Sequence, residues 1–592
     1  MNACRALSSL AALTALGLGL GAFPAGCGQP PPDVTPDELT TSAKTSNTRP
    51  AGAGSAESID APAPARKKSH RFAVASENPT ATKLAMGILE RGGNAVDAAI
   101  AGVLGVGVMQ PVSSGIGGGG FAMVYDAKAK RVTVLDFRET APRGLAPNDY
   151  VGLWARKRVK EGIMTGVPGE VAGLSEMHAR WGKLAFAECV RGAADAAAQG
   201  FPVSAHMARV LKMNEAWVQK SPGYASIFHP AGALLSVGGA AKNPALAATL
   251  KRIAAEGKAA FYQGAIAADV VETARAGGSR MGVDDLARYE VIERAPLKTE
   301  WEGNEVYTMP LPSAGGVLML ETLHMHSKAE LAALGFGTGA YQHLLAETFR
   351  GAVADRVRLL GDPAFVKVDV DALTSRARMK ARRARISLTS TTPAEKFPVS
   401  EAGTSHLVAV DEEGNVVSIT STINNMFGAK LVTKGGFLLN DELNDFTFER
   451  VERIFGVRLG PNRPRGGARP VSSMTPTIVF RGNTPILSLG GSGGTRIATG
   501  TTQVLLAHLV FDRKVGEAVA DGRIETPPWG GLYVDTSTPP DVIRDLEDRG
   551  EVVNASMPNF SAVQAVSIQM KDGARVIEAA ADPRKGGGAA VE

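Results

Sequence analysis

The segment from Ser400 to Asn424, "SEAGTSHLVAVDEEGNVVSITSTIN", constrains the fold of this chain more than any other stretch. It predicts a β-hairpin, because two apolar runs, Leu407 to Val410 and Val416 to Ile419, flank a turn made of Asp, Glu, Gly and Asn. A symmetric register sets Thr404 opposite Thr422. Directly opposed residues have Cβ atoms about 4.5 to 5.5 Å apart, so the two hydroxyl groups should be in contact.

Both faces of this hairpin carry apolar side chains. His406 and Val408 share one face of the first strand, and Leu407 and Ala409 share the other. A strand that is apolar on both faces needs cover on both sides. The hairpin is therefore predicted to lie in a sheet between two other layers.

The hydroxyl pair suggests a nucleophile, but a threonine needs a base to activate it. The hairpin offers no Asp or His in the place that a Ser-His-Asp triad would need, which leaves distant residues or another solution. Cleavage of the chain before Thr404 is such a solution. It would free an α-amino group, with a pKa near about 7.7 to 8.0, as the base for the Thr404 hydroxyl. Gly403 leaves the preceding peptide flexible enough for this attack.

The composition is that of a globular protein with a large core. The chain has 592 residues, of which 44% are hydrophobic and 21% are charged. From about Phe72 onward, helical and strand patterns mix without a linker-like break, which predicts one compact body. The net charge of +5 is spread without a block of like charges, so a nucleic-acid partner is not expected.

The first elements of this body have clear boundary signals. Asn78-Pro79 should start a helix that ends at Gly92-Gly93, and Asn94 should cap a second helix, "AVDAAIAGVLGVGV". The following "SSGIGGGGFAMVYD" has no Lys-Ser/Thr after its glycines and leads into a strand, so it indicates close backbone packing rather than a phosphate loop. The next strand, "KRVTVLDFRETAP", carries Arg138 at its polar end, either as a surface charge or as a carboxylate ligand.

The N-terminus has the pattern of an export signal. Residues 1–27 contain Arg5, an apolar run from about Leu10 to Phe23, and Cys27 after small residues. The apolar run is too short for a membrane-spanning helix. Cys27 permits two readings, simple secretion or a bacterial lipid anchor. Residues 28–70 are rich in Pro, Ala, Ser and Thr and are predicted to form a disordered tether. A periplasmic or extracellular location follows, with membrane attachment only through a Cys27 lipid.

Neither the cysteines nor the histidines predict a metal site or a thiol nucleophile. Cys189 lies in a helical apolar pattern and should be buried. His324 and His326 would point the same way only on a strand, and the chain has no HExxH motif.

At this point the chain resembles the γ-glutamyltransferase (glutathione hydrolase) family of the N-terminal nucleophile hydrolase fold. The resemblance extends through nearly the whole chain after the tether and rests on these motifs, in order: "GILERGGNAVDAAIA", "SSGIGGGGF", "LDFRETAP", "GVPGEVAG", "ADRVRLLGDPAFVKV", "GTSHLVAVDEEGNVVSITSTIN", "GFLLNDELNDF", "RPVSSMTPTIV", "GGSGGTRI" and "DPR". It implies an α+β fold, a four-layer αββα sandwich. It also implies a precursor that cuts itself at Gly403-Thr404 into a large chain, residues 71–403 of the body, and a small chain, residues 404–592, that stay together as a heterodimer.

The resemblance implies a role for each matching residue. Thr404 would be the nucleophile, with its own amine as base, and Thr422 would hold its hydroxyl. Gly493 and Gly494 would present backbone N–H groups to the oxyanion. The remaining residues would bind the zwitterionic glutamyl head. Its carboxylate would be held by Arg138, Ser472 and Ser473. Its ammonium would be held by Asn424, Glu442 and Asp445.

The implied activity is hydrolysis or transfer of γ-glutamyl groups from glutathione and similar amides, through a glutamyl ester on Thr404 and without a cofactor or metal. Water, amino acids or dipeptides would be the acceptors. Two alternatives remain: a cephalosporin (glutaryl) acylase-like amidohydrolase of the same fold, and a catalytically silent surface-tethered binding protein. Asp445 argues against the acylase, because an acyl group without an amine has no use for that carboxylate.

Two departures from the family pattern bear on the site. Ala314 stands where the usual Pro-Ser-Ser-Gly-Gly has its second serine, so a hydroxyl near the site is expected to be missing. The segment 446–472, where many bacterial members have a loop over the pocket, is Arg-rich here, and whether it forms a lid stays open.

Overall fold

The predicted hairpin occupies the middle of a seven-stranded sheet in the computed structural model. Its strands, Ser405–Val410 and Val416–Thr422, pair antiparallel, with Ser405 opposite Ser421. Continued by one residue, this register places Thr404 opposite Thr422, which confirms the predicted pairing.

The structure describes residues 69–150, 161–392, 403–448, 460–526, 531–557 and 561–592. All of them belong to one compact unit, residues 66–592. The predicted export signal, Cys27 and nearly all of the predicted tether lie outside the described residues. Within the described ranges, no helix combines the length and the apolar character that crossing a membrane requires.

Two large sheets form the centre of the protein. In spatial order, the strands of the first sheet are Gly588–Val591, Ala73–Ser76, Ser405–Val410, Val416–Thr422, Gly119–Asp126, Arg131–Phe137 and Ile292–Arg294. The strands of the second sheet are Ala574–Ala581, Ala562–Lys571, Thr484–Ser492, Thr477–Arg481, Asn304–Thr308 and Leu297–Trp301. Two small sheets add Ile524–Glu525, Leu532–Asp535 and Val553–Met557, and Phe201–Pro202 with Ala240–Ala241.

Helices cover the outer face of each large sheet. Helices that share the apolar core on the outer face of the first sheet are Pro79–Glu90, Ala95–Met109, Glu170–Trp181, Phe186–Gln199, Ala205–Met213, Glu215–Lys220, Pro222–Phe228, Pro244–Glu256, Lys258–Tyr262, Gly264–Ala276 and Val283–Ala287. Helices that share the core of the second are Gly315–Met325, Lys328–Leu334, Gly339–Leu359, Arg496–Phe511, Val515–Ala520 and Pro540–Asp548. Helices Val370–Thr374 and Arg376–Arg383, and the short 3-10 helices Pro147–Tyr150, Glu161–Met164, Pro230–Gly232, Glu442–Asp445 and Pro583–Lys585, complete the set of described helices.

The alternation of side chains along the central strand separates two apolar cores. Leu407 and Ala409 pack among the helices on the outer face of the first sheet. Val408 faces the other way, into a core shared with Ile478 and Val566 of the second sheet. The hairpin is therefore buried on both faces, and the order of layers is helix, sheet, sheet, helix. This confirms the predicted αββα sandwich.

The predicted starts of the first two helices are also confirmed. The Asn78 side chain accepts hydrogen bonds at the start of Pro79–Glu90. Asn94 does the same for Ala95–Met109 and forms a reciprocal capping box with Asp97. The glycine-rich run then leads into the strand Gly119–Asp126, as expected.

Segments before and after Thr404 interleave in both sheets. In the first sheet, the hairpin lies between Ala73–Ser76 and Gly119–Asp126, which precede Thr404 in sequence. In the second sheet, Thr477–Arg481 pairs with Asn304–Thr308. A chain cut before Thr404 would therefore remain joined by backbone hydrogen bonds and by the core between the sheets.

Candidate active site

Thr404 lies at the start of the hairpin, buried beside the peptide bond that precedes it. Its Oγ1 donates to the Gly403 carbonyl oxygen at 2.6 Å and lies 3.1 Å from the Thr422 Oγ1. Thr422 Oγ1 also donates to the Gly403 carbonyl oxygen at 2.9 Å, and accepts from the Asn424 backbone N–H at 2.8 Å. Two hydroxyl groups thus converge on one carbonyl, the arrangement needed to attack it and to stabilise the oxygen that becomes negative.

Only glycine fits at position 403. A Cβ built there would come within 2.7 Å of the Val112 carbonyl oxygen and 3.0 Å of Ser113 Cα. A side chain would have to displace backbone, because both neighbours are main-chain atoms. The absence of a side chain at Gly403 lets the Gly403-Thr404 peptide pass close to the backbone of Val112 and Ser113.

Gly493 and Gly494 follow the strand Thr484–Ser492 and precede the helix Arg496–Phe511. Their φ angles are 122° and 64°, in the region that favours glycine. A Cβ on Gly493 would come within 2.9 Å of Ser561 Cα. A strand-to-helix turn of this kind, at a helix N-terminus, provides a positive electrostatic environment for a developing oxyanion.

Arg138 is the buried cation of the site. It follows the strand Arg131–Phe137, and its Nη1 donates to Glu442 while its Nη2 donates to Asp445 Oδ2 at 2.5 Å. Burial lowers the pKa of Arg138, but the adjacent carboxylates of Glu442 and Asp445 outweigh that effect and raise it, so the guanidinium stays charged. Arg138 is therefore not a surface charge, and its guanidinium pairs with two carboxylates of the protein. Its binding of a substrate carboxylate stays a prediction.

The two remaining groups of predicted site residues surround this ion pair. Asn424 has a φ of 71°, and its Nδ2 donates to the Asp441 carbonyl oxygen at 3.1 Å. Ser472 forms an isolated β-bridge with Ser313, in which the Ser472 N–H donates to the Pro312 carbonyl oxygen at 2.9 Å, and Ser473 follows it.

All the predicted site residues except Gly493 line one pocket, and Gly493 adjoins it through Gly494. The pocket has about 270 Å³ of space, with the open solvent at its mouth included. Its lining combines the hydroxyl groups of four predicted site residues with one ion-pair cluster: Thr404, Thr422, Ser472 and Ser473, and Arg138 with Glu442 and Asp445. Such a cavity can bind a small group that bears both charges and present its acyl carbon to Thr404.

Arg356 is a site residue that sequence reasoning missed. It lies on the helix Gly339–Leu359 and lines the same pocket. Its Nη1 donates to Ser473 Oγ, and its Nη2 donates to the Val471 carbonyl oxygen at 3.0 Å. The motif "ADRVRLLGDPAFVKV" contains this arginine, but nothing in that motif indicates a contact with a segment more than a hundred residues away.

Lys585 is a second residue that the sequence did not single out. Its Nζ donates to the Thr404 carbonyl oxygen at 2.9 Å and to Ser492 Oγ at 2.6 Å. Glu77 Oε2 lies 3.2 Å from the same nitrogen. The one sequence feature that could have indicated Lys585 is its position directly after the terminal "DPR" motif. This cation holds the carbonyl of the nucleophilic residue itself and so fixes the orientation of Thr404.

The two departures from the family pattern have structural outcomes. Ala314 packs in an apolar cluster with Leu311 and Val317, and its backbone N–H donates to the carbonyl oxygen of the site residue Ser472 at 2.9 Å. The hydroxyl expected to be missing near the site stays a prediction. Residues 449–459 of the predicted lid lie outside the described residues. The part that follows supports the site, because Asn462 Nδ2 donates to the Asp445 carbonyl oxygen at 2.7 Å.

Cys189 is buried, as predicted, and burial raises the pKa of its thiol. Together with Asp97 and His178 it forms the one group of potential metal ligands among the described residues. The Asp97 carboxylate there already accepts the backbone N–H groups of Lys183 and Leu184. This carboxylate therefore joins the start of the helix Ala95–Met109 to the backbone at Lys183 and Leu184.

Two buried acids beside the site use none of their carboxylate oxygens in hydrogen bonds to the described residues. They are Glu139, next to Arg138, and Glu170, at the start of the helix Glu170–Trp181. Burial raises the pKa of each carboxyl group to about 8. Burial therefore favours the protonated form of both carboxyl groups.

Comparison with known proteins places this geometry in a family context. The family model described as Gamma-glutamyltranspeptidase matches residues 81–592. Among curated proteins, the glutathione hydrolase proenzyme of Pseudomonas aeruginosa is 36% identical over 530 residues, covering 86% of this chain and 93% of its own. The glutathione hydrolase proenzyme of Escherichia coli strain K12 is 33% identical over 501 residues, covering 81% and 85%.

Solved structures share the fold. The cephalosporin acylase of Bacillus halodurans superposes with a TM-score of 0.77 at 24% identity, over 90% of this chain and 98% of that one. The γ-glutamyltranspeptidase of Helicobacter pylori superposes with a TM-score of 0.51 at 33% identity, over 53% of this chain and 92% of that one. The likeness to the acylase concerns the fold alone.

Proposed function

The chain belongs to the γ-glutamyltranspeptidase family, and from that premise we propose that it cuts itself at Gly403-Thr404 and then cleaves γ-glutamyl amides such as glutathione. The observation that carries the proposal is the convergence of Thr404, Thr422 and a zwitterion-binding ion pair in one pocket. Relatives named as glutathione hydrolase proenzymes support both parts of it.

Self-cleavage begins at the Thr404 hydroxyl. Its Oγ1 attacks the Gly403 carbonyl carbon, the C–N bond breaks, and an ester forms while the released amine takes up the proton. Thr422 donates to the Gly403 carbonyl oxygen as that oxygen becomes negative. Water then hydrolyses the ester, which leaves a carboxylate on Gly403 and a free amine on Thr404. The interleaved sheets hold the two chains together afterwards.

Turnover reuses the same hydroxyl with the new amine as its base. Thr404 Oγ1 attacks the γ-carbonyl carbon of the substrate, and the N–H groups of Gly493 and Gly494 stabilise the oxyanion. The amide C–N bond breaks, the leaving amine takes the proton from the Thr404 ammonium, and a γ-glutamyl ester remains on Thr404. Water, or the amine of an amino acid or peptide, then attacks this ester and frees the enzyme.

Head-group binding exchanges one set of ion pairs for another. In the uncut chain, Arg138 pairs with Glu442 and Asp445. A γ-glutamyl head brings one carboxylate and one ammonium. Arg138 Nε donates to the Pro470 carbonyl oxygen, so all three nitrogens are engaged. The substrate carboxylate would replace Asp445 at Nη2, beside Ser472 and Ser473. Asp445 would then pair with the substrate ammonium near Asn424, so that the pocket stays neutral.

The acylase alternative is less well supported. The neighbour named as a cephalosporin acylase is similar at a level that shows the fold alone, and a glutaryl group has no ammonium for Asp445. The intact nucleophile pair argues against a silent binding protein.

We also propose that the protein is exported, because its N-terminal segment contains an apolar run from about Leu10 to Phe23. A lipid attached to Cys27 would anchor the exported protein to a membrane.

The experiment that tests the substrate class compares two p-nitroanilides. The purified protein should release p-nitroaniline from the γ-glutamyl compound at a much higher kcat/KM than from the glutaryl compound. A preference for the glutaryl compound would favour the acylase, and no release from either would favour the silent protein.

A further inference from the structure

The turn that carries the two glycines of the proposed oxyanion site has no side chains of its own to fix it. Gly493 and Gly494 have φ angles of 122° and 64°. Because glycine adopts positive and negative φ about equally well, the peptide unit between them could point its N–H in either direction at little steric cost. A donor to an oxyanion needs one fixed direction. Another contact must therefore select that direction.

A buried arginine makes such a contact. Arg496 is the first residue of the helix Arg496–Phe511 and is 3% exposed. Its Nε donates to the Gly493 carbonyl oxygen at 3.1 Å. Because the guanidinium group is always charged, this hydrogen bond is stronger than one between neutral groups. The Gly493 carbonyl is thus held toward Arg496.

The direction of the Gly493 carbonyl fixes the direction of the next N–H group. The two groups belong to one planar peptide unit, in which a trans C=O and N–H point in opposite directions. Gly494 lines the pocket that contains Thr404, and since glycine has no side chain, its backbone forms that part of the wall. In the described turns and loops, no backbone carbonyl accepts from the Gly494 N–H. This N–H is therefore available to a substrate oxygen.

A buried acid accompanies the buried arginine. Glu525 is 2% exposed and accepts a hydrogen bond from Thr499 Oγ1, one turn after Arg496 on the same helix. Burial raises the pKa of the Glu525 carboxyl group to about 7, and the Thr499 hydrogen bond and the charges of Arg496 and Arg356 oppose that rise. The charges of Glu525 and Arg496 thus stabilise each other, which offsets part of the cost of burying a cation behind the turn.

We propose that Arg496 is a positioning residue for the oxyanion: by holding the Gly493 carbonyl, it directs the Gly494 N–H into the pocket. A carbonyl that accepts a hydrogen bond also polarises its peptide unit, so the N–H becomes a stronger donor. The inference rests on the proposed function and adds a residue to it. Formation and breakdown of the glutamyl ester both pass through an oxyanion, so both steps depend on Arg496.

Turnover of γ-glutamyl-p-nitroanilide gives the first test. Arg496→Met should lower kcat about tenfold or more and change KM little, because loss of a whole oxyanion donor costs about a hundredfold or more. Arg496→Lys keeps a charged donor and should recover part of kcat. Arg513→Gln is the control, because Arg513 follows the other end of the same helix and pairs with Asp521 at 2.6 Å. It should keep the wild-type kcat.

Two inhibitors separate positioning from a merely structural role. Norvaline is glutamate with a methyl group in place of the γ-carboxyl group, so it occupies the head-group site alone. A boronic acid in the same place forms a tetrahedral adduct with Thr404 and puts an oxygen in the oxyanion site. Arg496→Met should weaken inhibition by the boronic acid about tenfold and leave that by norvaline unchanged. Equal changes for both inhibitors, or none for the boronic acid, overturn the proposal.

Self-cleavage shows whether the variant folds. The oxygen that becomes negative in that step belongs to Gly403 and is bonded by Thr422, so Arg496→Met should still be cut. If it stays uncut, the two inhibition constants are measured on Arg496→Lys, where the boronic acid alone should lose affinity and equal losses overturn the proposal. Wild type that releases no p-nitroaniline overturns the proposed function. A wild-type kcat in Arg496→Met overturns this inference alone.

Discussion

The Oγ1 atoms of Thr404 and Thr422 lie 3.1 Å apart at the open end of one buried hairpin, and both contact the carbonyl oxygen of Gly403. One oxygen is placed to attack and the other to stabilise the product of the attack. The hairpin register alone brings them together, so the reaction depends on the pairing of two strands.

Thr422→Val should slow self-cleavage about tenfold or more, because it removes a donor to the oxygen that becomes negative while keeping the shape of the side chain. Thr422→Ser keeps the hydroxyl and should cut nearly as fast as wild type. The fraction of uncut chain on denaturing gels, followed over time after synthesis, measures this. Equal rates for the valine and serine variants would show that the Thr422 hydroxyl has no part in the step.

Asp445→Asn should lower kcat/KM for γ-glutamyl-p-nitroanilide on the order of a hundredfold, because it removes the carboxylate that pairs with the substrate ammonium in a partly desolvated pocket. Activity on the glutaryl anilide, which has no ammonium, should fall much less. If both substrates lose activity by the same factor, Asp445 is not an ammonium ligand.

Arg356→Gln should raise KM for γ-glutamyl-p-nitroanilide about tenfold and change kcat less, because Arg356 holds Ser473, a proposed ligand of the substrate carboxylate. Arg356→Lys should recover part of the loss. A γ-aminobutyryl anilide has no carboxylate and should be affected little. Arg358→Gln, an exposed change on the same helix, is the control. Equal losses on both anilides would assign Arg356 a purely structural role.

Glu170 makes stability depend on pH. Burial raises the pKa of its carboxyl group to about 8 in the folded chain, above the unfolded value of about 4.3, so the folded state binds the proton more tightly. Its contribution to stability is full below about pH 4.3 and is lost as the pH rises toward 8. Gln mimics the protonated form at every pH.

In a Thr404→Ala background, which should stay uncut, Glu170→Gln should therefore change Tm little at pH 5 and raise it at pH 9. Thermal unfolding at the two pH values measures the difference. A change in Tm that is the same at both pH values, or that is larger at pH 5, would contradict the assignment.

Contacts between residues that are close in sequence were predictable, and contacts between distant residues were not. The pairing of Thr404 with Thr422 was predictable, because a short turn fixes the register of two adjacent strands. The contact of Arg356 with Ser473 was not predictable, because it joins a helix to a segment more than a hundred residues away in sequence. No local pattern encodes such a contact.

The same reason explains the omission of Lys585. Lys585 reaches the Thr404 carbonyl from the last turn of the chain. The burial of Glu139 and Glu170 was likewise not predictable, because the sequence does not show which acidic side chains the described part of the fold covers.

The mass of the purified chains tests the central claim most directly. Wild type should separate on a denaturing gel into two chains, and intact-mass analysis should show that the smaller one begins at Thr404 with a free amine. Thr404→Ala should give one uncut chain without activity on γ-glutamyl-p-nitroanilide. A wild-type protein that is active as a single uncut chain, or a Thr404→Ala variant that still yields the smaller chain, would contradict the account.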